Sequence, residues 1–135
     1  MKLNTKTNRK AGLTLLELTV VILVLLSLIA ILFVGARAWK RGADRSANIL
    51  NIRNVQNAVR GHQNMYNLNI ADTLASTAIV SADGSTGYLK TPRPPAGLAA
   101  YTYGGEVPPL GTLYVTNHFD DAVYGFANAT DYEDW

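Results

Sequence analysis

From Leu13 to Ala36 the chain reads LTLLELTVVILVLLSLIAILFVGA, with Glu17 its one charged side chain. As a helix this run spans roughly 36 Å, against a hydrocarbon core about 30 Å thick. It is apolar on every face, which excludes the amphipathic helix of a soluble domain. A secretory signal peptide has a shorter apolar core, about 7–15 residues, closed by a small-x-small cleavage site. Gly35-Ala36-Arg37 is a poor site of that kind, so the run reads as a retained membrane helix. The chain has 135 residues, short for more than one domain, and its 16% charged against 48% apolar side chains exclude a mainly disordered polar tail. With 5 Pro and 11 Gly it is not collagen-like. It has no Cys, which removes disulfide scaffolds, thiolate zinc sites and cysteine nucleophiles together.

Charge is unevenly placed. Lys2, Lys6, Arg9 and Lys10 precede the run with no acid among them, and no Lys or Arg follows Arg93. The positive-inside bias assigns the basic leader to the cytoplasm. Arg37, Lys40, Arg41 and Arg45 follow the run directly, with Asp44 alone to offset them. The two flanks nearly balance, and charge by itself leaves the topology open.

Glu17 is the costly residue of the run. A carboxylate in an apolar helix needs a partner or a route to the interface. It could snorkel to the membrane surface or take up a proton. Alternatively it awaits a cation. A cut after Gly12 would give Leu13 a free ammonium, and a neighbouring subunit offset along the axis could set that ammonium against Glu17. Such a pair adds little raw stability over an apolar contact, but it specifies axial register between identical helices.

Arg9-Lys10-Ala11-Gly12 followed by Leu13-Thr14-Leu15-Leu16-Glu17-Leu18-Thr19-Val20-Val21 resembles the prepilin cleavage and methylation segment of type IV pilins and type II secretion pseudopilins. The likeness is close over residues 9 to about 36 and looser along the helix that follows. Leu13 stands where that family most often has Phe. No Pro precedes Pro92, so the helix break of many pilins is unmarked, and Gly35 and Gly42 are the available weak points. The resemblance implies a prepilin peptidase that cuts between Gly12 and Leu13 and N-methylates Leu13. It also implies an inner-membrane assembly platform as partner. The topology implied is single-pass in the inner membrane, with the leader cytoplasmic and the C-terminal head outside, before entry into a periplasmic or extracellular filament.

Beyond the run, Ala36, Trp39, Ala43, Ala47, Leu50, Asn54, Ala58, Gly61, Met65 and Leu68 form a row at spacings of three and four. Ile52, Val55, Val59, His62 and Tyr66 form a second row. The pattern predicts one helix from Leu13 to about Tyr66, roughly 80 Å long, apolar all round at first and then with one broad buried side. Arg37, Arg41 and Arg45, with Lys40, Arg53 and Arg60 further round, would suit anionic headgroups or the acids of adjacent subunits. They lack the interleaved aromatics of a base-stacking surface, so nucleic acid is not an expected partner.

Residues 69–135 form a head too small to bury a large core unaided. Leu74 to Val80 suits a short helix or a strand, Asp83 to Gly87 a loop, and Gly87 to Lys90 extended chain. Leu98 to Tyr103, Leu110 to Thr116 and Ala122 to Ala127 are strand-like. The expected fold is therefore α+β: a leader over 1–12, an apolar helix over 13–36, its amphipathic continuation over 37–68, and a small antiparallel sheet in 69–135. Tyr88-Leu89-Lys90, Pro95-Ala96-Gly97 and Tyr101-Thr102-Tyr103 also resemble a stretch of pseudopilin heads, though the Cys pair common there is missing. Asp120, Asp121, Asp131, Glu133 and Asp134 crowd the C-terminus among aromatic residues. Asp120, Asp121, Asp131 and Asp134 offer hard oxygens for calcium, which major pseudopilins bind in a C-terminal loop, but the spacing lacks the EF-hand pattern. A solvated acidic tail is the alternative, and no other cofactor is expected.

No Gly-rich phosphate loop is present, and His62 and His118 lie far apart, so an enzyme is not expected. The expectation is a homo-oligomeric structural subunit of a pilus-like filament. A minor, tip or competence pilin that binds DNA, a surface or an exported protein is the alternative, and a plain single-pass anchored domain is a third.

Overall fold

A computed structural model describes residue 12 and residues 14–95, 97–117, 124–126 and 129–135. The fold is α+β: one long N-terminal helix, α1 (Leu15–Tyr66), followed by short elements. These are α2 (Ser76–Ile79), β1 (Val80–Ser81), β2 (Leu89–Lys90), β3 (Thr102–Tyr103), β4 (Val115–Thr116) and a 3₁₀ turn at Ala129–Tyr132. The chain divides into two compact units, 1–37 and 38–135.

In the first unit α1 begins on a reciprocal cap. The Thr14 N–H donates to Glu17 Oε2 at 2.8 Å, and the Glu17 N–H donates to Thr14 Oγ1 at 3.2 Å. A Thr-x-x-Glu pair in front of an apolar run thus occupies donors that a helix start leaves open. From Leu15 to Val34 the large apolar side chains are exposed, and α1 is long and apolar enough to cross a membrane. The hydroxyls of this stretch are met inside the helix: Thr19 Oγ1 donates to the Leu16 carbonyl and Ser27 Oγ to the Val24 carbonyl. That satisfies them without water, as a hydrocarbon surrounding requires. The helix runs unbroken through Gly35 and Gly42.

In the second unit α1 ends on a left-handed cap. Asn67 has φ 52°, and the Leu68 N–H reaches back to the Gln63 carbonyl at 3.0 Å. This is the six-to-one closure of a Schellman motif, with Asn in place of the usual Gly. The core joins Ile52, Val55 and Val59 of α1 to Leu74, Ile79, Val80, Tyr101, Val107, Tyr114, Val115 and Phe126. The second sequence row therefore supplies the buried side, together with Asn48 and Gln56. Most of the first row does not: Trp39, Leu50 and Met65 are 80%, 57% and 70% exposed, while Ala58 and Leu68 are partly buried against the core. At 100° per residue Leu50 lies half a turn round the helix from Val59, and the two rows are centred about 120° apart.

Among the described residues the head holds two ladders of two strands each, one parallel and one antiparallel. β1 pairs with β2 in parallel, Val80 opposite Leu89, and β3 pairs with β4 antiparallel, Thr102 opposite Thr116. Parallel pairing after so short a link depends on Gly87. A Cβ there would stand 2.7 Å from the Ile79 carbonyl oxygen and 2.8 Å from the Val80 nitrogen. An isolated bridge, Thr73 to Glu106, ties the chain just before α2 to the segment before Pro108, with Leu74 N–H donating to the Gly105 carbonyl at 2.8 Å. Of the strand-like stretches, Leu98 to Tyr103 and Leu110 to Thr116 contribute β3 and β4; in Ala122 to Ala127 the described residues, Tyr124 to Phe126, are not strand, and the rest lie outside the described residues.

Candidate functional site

The residues singled out for processing and assembly sit at the N-terminal end of α1. Gly12 is exposed, as is Glu17 in the first turn of the helix; Leu13 lies outside the described residues. The capping bond occupies Oε2 of the Glu17 carboxylate. A Thr three residues before a Glu at the mouth of an apolar run is a readable capping signal.

The basic residues of α1 fall into two sets. One set holds the head. Arg45 Nε donates to the Gly125 carbonyl at 2.8 Å. Arg60 donates to the carbonyls of Pro108, Pro109 and Trp135 at 2.7, 3.1 and 2.8 Å and to Gln63 Oε1 at 3.1 Å. Burial pulls the Arg60 pKa down from its ordinary value, and these oxygens compensate the lost hydration of a cation. Arg53 lies over the Trp135 ring, 5.0 Å from its centroid, and Phe126 meets the same ring edge-on at 5.2 Å. Sequence spacing had no means of joining Arg60 to Trp135. The other set faces outward: Arg37 and Arg41 are exposed, and Lys40 is exposed while pairing with Asp44 on the next turn at 3.2 Å.

Two buried amides of α1 organise the head. Asn48 Nδ2 donates to the carbonyls of Asn117 and Tyr124 at 3.3 and 3.0 Å, and its Oδ1 accepts from the Tyr101 hydroxyl at 2.7 Å. Gln56 accepts from the Tyr114 N–H at 3.0 Å and donates to the Thr112 carbonyl at 3.1 Å. It bonds to alternate residues of an extended segment as a neighbouring strand would.

Of the acids considered for calcium, Asp120 and Asp121 lie outside the described residues, as does His118. Asp131 and Asp134 are exposed in the 3₁₀ turn and just after it. Among the described residues no three His, Asp or Glu side chains converge as a metal set would. One groove on the head, about 480 Å³, is lined by Thr73, Gly104, Glu106, Pro108 and Tyr114, with Glu106 as its acid. A second groove, about 410 Å³, holds His62 stacked on Tyr66 at 4.4 Å, with His62 Nδ1 3.0 Å from the Tyr88 hydroxyl. These are shallow, open surfaces suited to contact. Comparison with known proteins finds no matching family model, no matching curated sequence and no matching solved structure.

Proposed function

We propose that the chain is a structural subunit of a type IV pilus-like filament or a type II secretion pseudopilus. It is made as a membrane-anchored precursor, cut after Gly12, N-methylated on Leu13 and polymerised through α1. The carrying observation is the exposed apolar stretch from Leu15 to Val34, whose single acid, Glu17, stands in the first turn of the helix close behind Gly12. The far face of the second half of α1 supports the same reading. Leu50 and Met65 remain exposed there with Ala43, Ala47 and Gly61, an apolar strip that the head leaves for another copy. The chain acts by assembly and not by catalysis; its partners are further copies of itself, the prepilin peptidase, an inner-membrane platform and, before assembly, lipid.

The capping geometry permits a sharper experiment than removal of the side chain alone. Gln at the third helical position keeps a capping box, whereas Ala loses it. Glu17→Gln therefore retains the helix start and removes the charge; Glu17→Ala removes both. Both variants are expected to insert in the membrane and to fail in assembly, measured by sheared-fraction yield and electron microscopy. Normal filaments from Glu17→Gln would overturn the charge pairing. A mature mass that still contains residues 1–12 would overturn the processing and with it the polymer.

A further inference from the structure

We infer that the turn of α1 carrying Trp39, Lys40 and Arg41 is a binding surface for anionic phospholipid headgroups, at the end of the apolar run remote from the basic leader. The inference rests on the membrane stage of the proposed function, before any filament forms. Three observations carry it. Trp39 is 80% exposed on a helix whose other half packs a head, and an unsheltered indole at the end of an apolar span suits the headgroup layer, where amphipathic rings concentrate. The cations of α1 are divided by use: Arg45 and Arg60 are bonded to head carbonyls and Arg53 lies on Trp135. Arg41 is exposed, as is Arg37 four residues earlier, and among the described residues neither is bonded to the head. Lys40 is exposed too, and its bond to Asp44 stays within the helix. The position is the third observation. Trp39 follows the last exposed large apolar side chain of the run, Val34, by five residues in sequence, and Lys40 and Arg41 come directly after it.

A helix crossing the headgroup layer is surrounded by lipid, so Trp39 and the cations need not share one face. The ring stays at the boundary between chains and headgroups, and the guanidinium of Arg41 donates to phosphate oxygens in a paired geometry. Cations at this end of the run work against the orientation that the basic leader favours. Pairing with anionic headgroups offsets that opposition and holds the depth of the helix.

The test uses the full chain, leader included, in phosphatidylcholine vesicles containing a minority of phosphatidylglycerol, at low protein-to-lipid ratio. Bromine is placed on the acyl chains of one lipid or the other at equal mole fraction. Trp39 quenching is taken as the difference between the wild type and Trp39→Phe, with Trp135 as internal control. Brominated phosphatidylglycerol is expected to quench Trp39 about twofold or more above brominated phosphatidylcholine. The triple variant Arg37→Gln, Lys40→Gln and Arg41→Gln should equalise the two while leaving insertion intact. Equal quenching in the wild type, no quenching, or a preference that survives the triple variant would each overturn the inference. So would a signal that follows protein-to-lipid ratio in place of lipid charge, which would assign these cations to a second copy. Carbonate-resistant flotation of the same vesicles separates the two readings. An inserted chain without lipid preference defeats this inference alone, whereas a chain that fails to insert defeats the membrane stage as well.

Discussion

Gln56 shows how much of the head depends on single polar side chains. It is buried in α1, and its amide meets the Tyr114 N–H and the Thr112 carbonyl. Gln56→Met keeps the volume and leaves the Tyr114 N–H buried without its partner, whereas the Thr112 carbonyl, on an exposed residue, can turn to water. The expected loss is about 1–3 kcal/mol, the cost of one orphaned buried group, read by chemical denaturation of the detergent-solubilised chain. The tyrosines give a second handle. Burial raises the pKa of Tyr101, with the Asn51 amide pulling the other way, and burial also raises Tyr103 and Tyr114. The unfolded chain releases these protons near pH 10, while the folded chain holds them longer. Stability from the neutral phenols is therefore complete below about pH 9 and falls as pH rises through 10 and beyond. Melting temperature against pH should show this fall, and Tyr101→Phe should lessen it; a flat profile to the highest pH would refute the assignment.

At the level of elements, the parallel ladder of β1 and β2 is the most constrained feature, because the chain passes Ile79 and Val80 with no room for a side chain at Gly87. Gly87→Ala forces backbone apart and is expected to cost about 2 kcal/mol, with hydrogen exchange at Val80 and Leu89 rising ahead of the rest of the head. Unchanged protection there would show that the ladder yields cheaply. α1 was legible in the sequence almost to the residue, because its period and its apolar length agree over many turns. The choice of buried side was not. Leu50, Trp39 and Met65 looked like core by type, yet Asn48 and Gln56 are buried in their stead. Helical spacing says which residues share a face, and only the partner decides which face is covered. The head was less legible again. Its strands are two residues long, too short for any alternation to register, and their pairing rests on contacts far apart in sequence. Tyr114 hydroxyl to the Leu74 carbonyl at 2.9 Å, and Arg60 to Trp135, are of that kind. Of the proposed assembly residues, Glu17 is legible as an anomaly, and its capping bond to Thr14 follows from the Thr-x-x-Glu spacing.

For the molecule as a whole, the two faces of α1 beyond Ala38 divide the labour. One face holds the head through Ile52, Val55 and Val59; the other keeps Leu50 and Met65 in contact with solvent. Leu50→Arg is expected to change head stability by less than about 0.5 kcal/mol, as exposed substitutions do, and to abolish filaments in the same shearing assay. Normal filaments from that variant would assign the outward strip no part in assembly. The start of α1 carries a further consequence. The lock between Thr14 and Glu17 lies wholly downstream of the bond between Gly12 and Leu13. In the proposed maturation, severing that bond would remove four cations and create a new ammonium while leaving both partners of the first-turn lock in place. The change would be one of label: a helix start unaltered in its coil would pass from guest of the bilayer to building block.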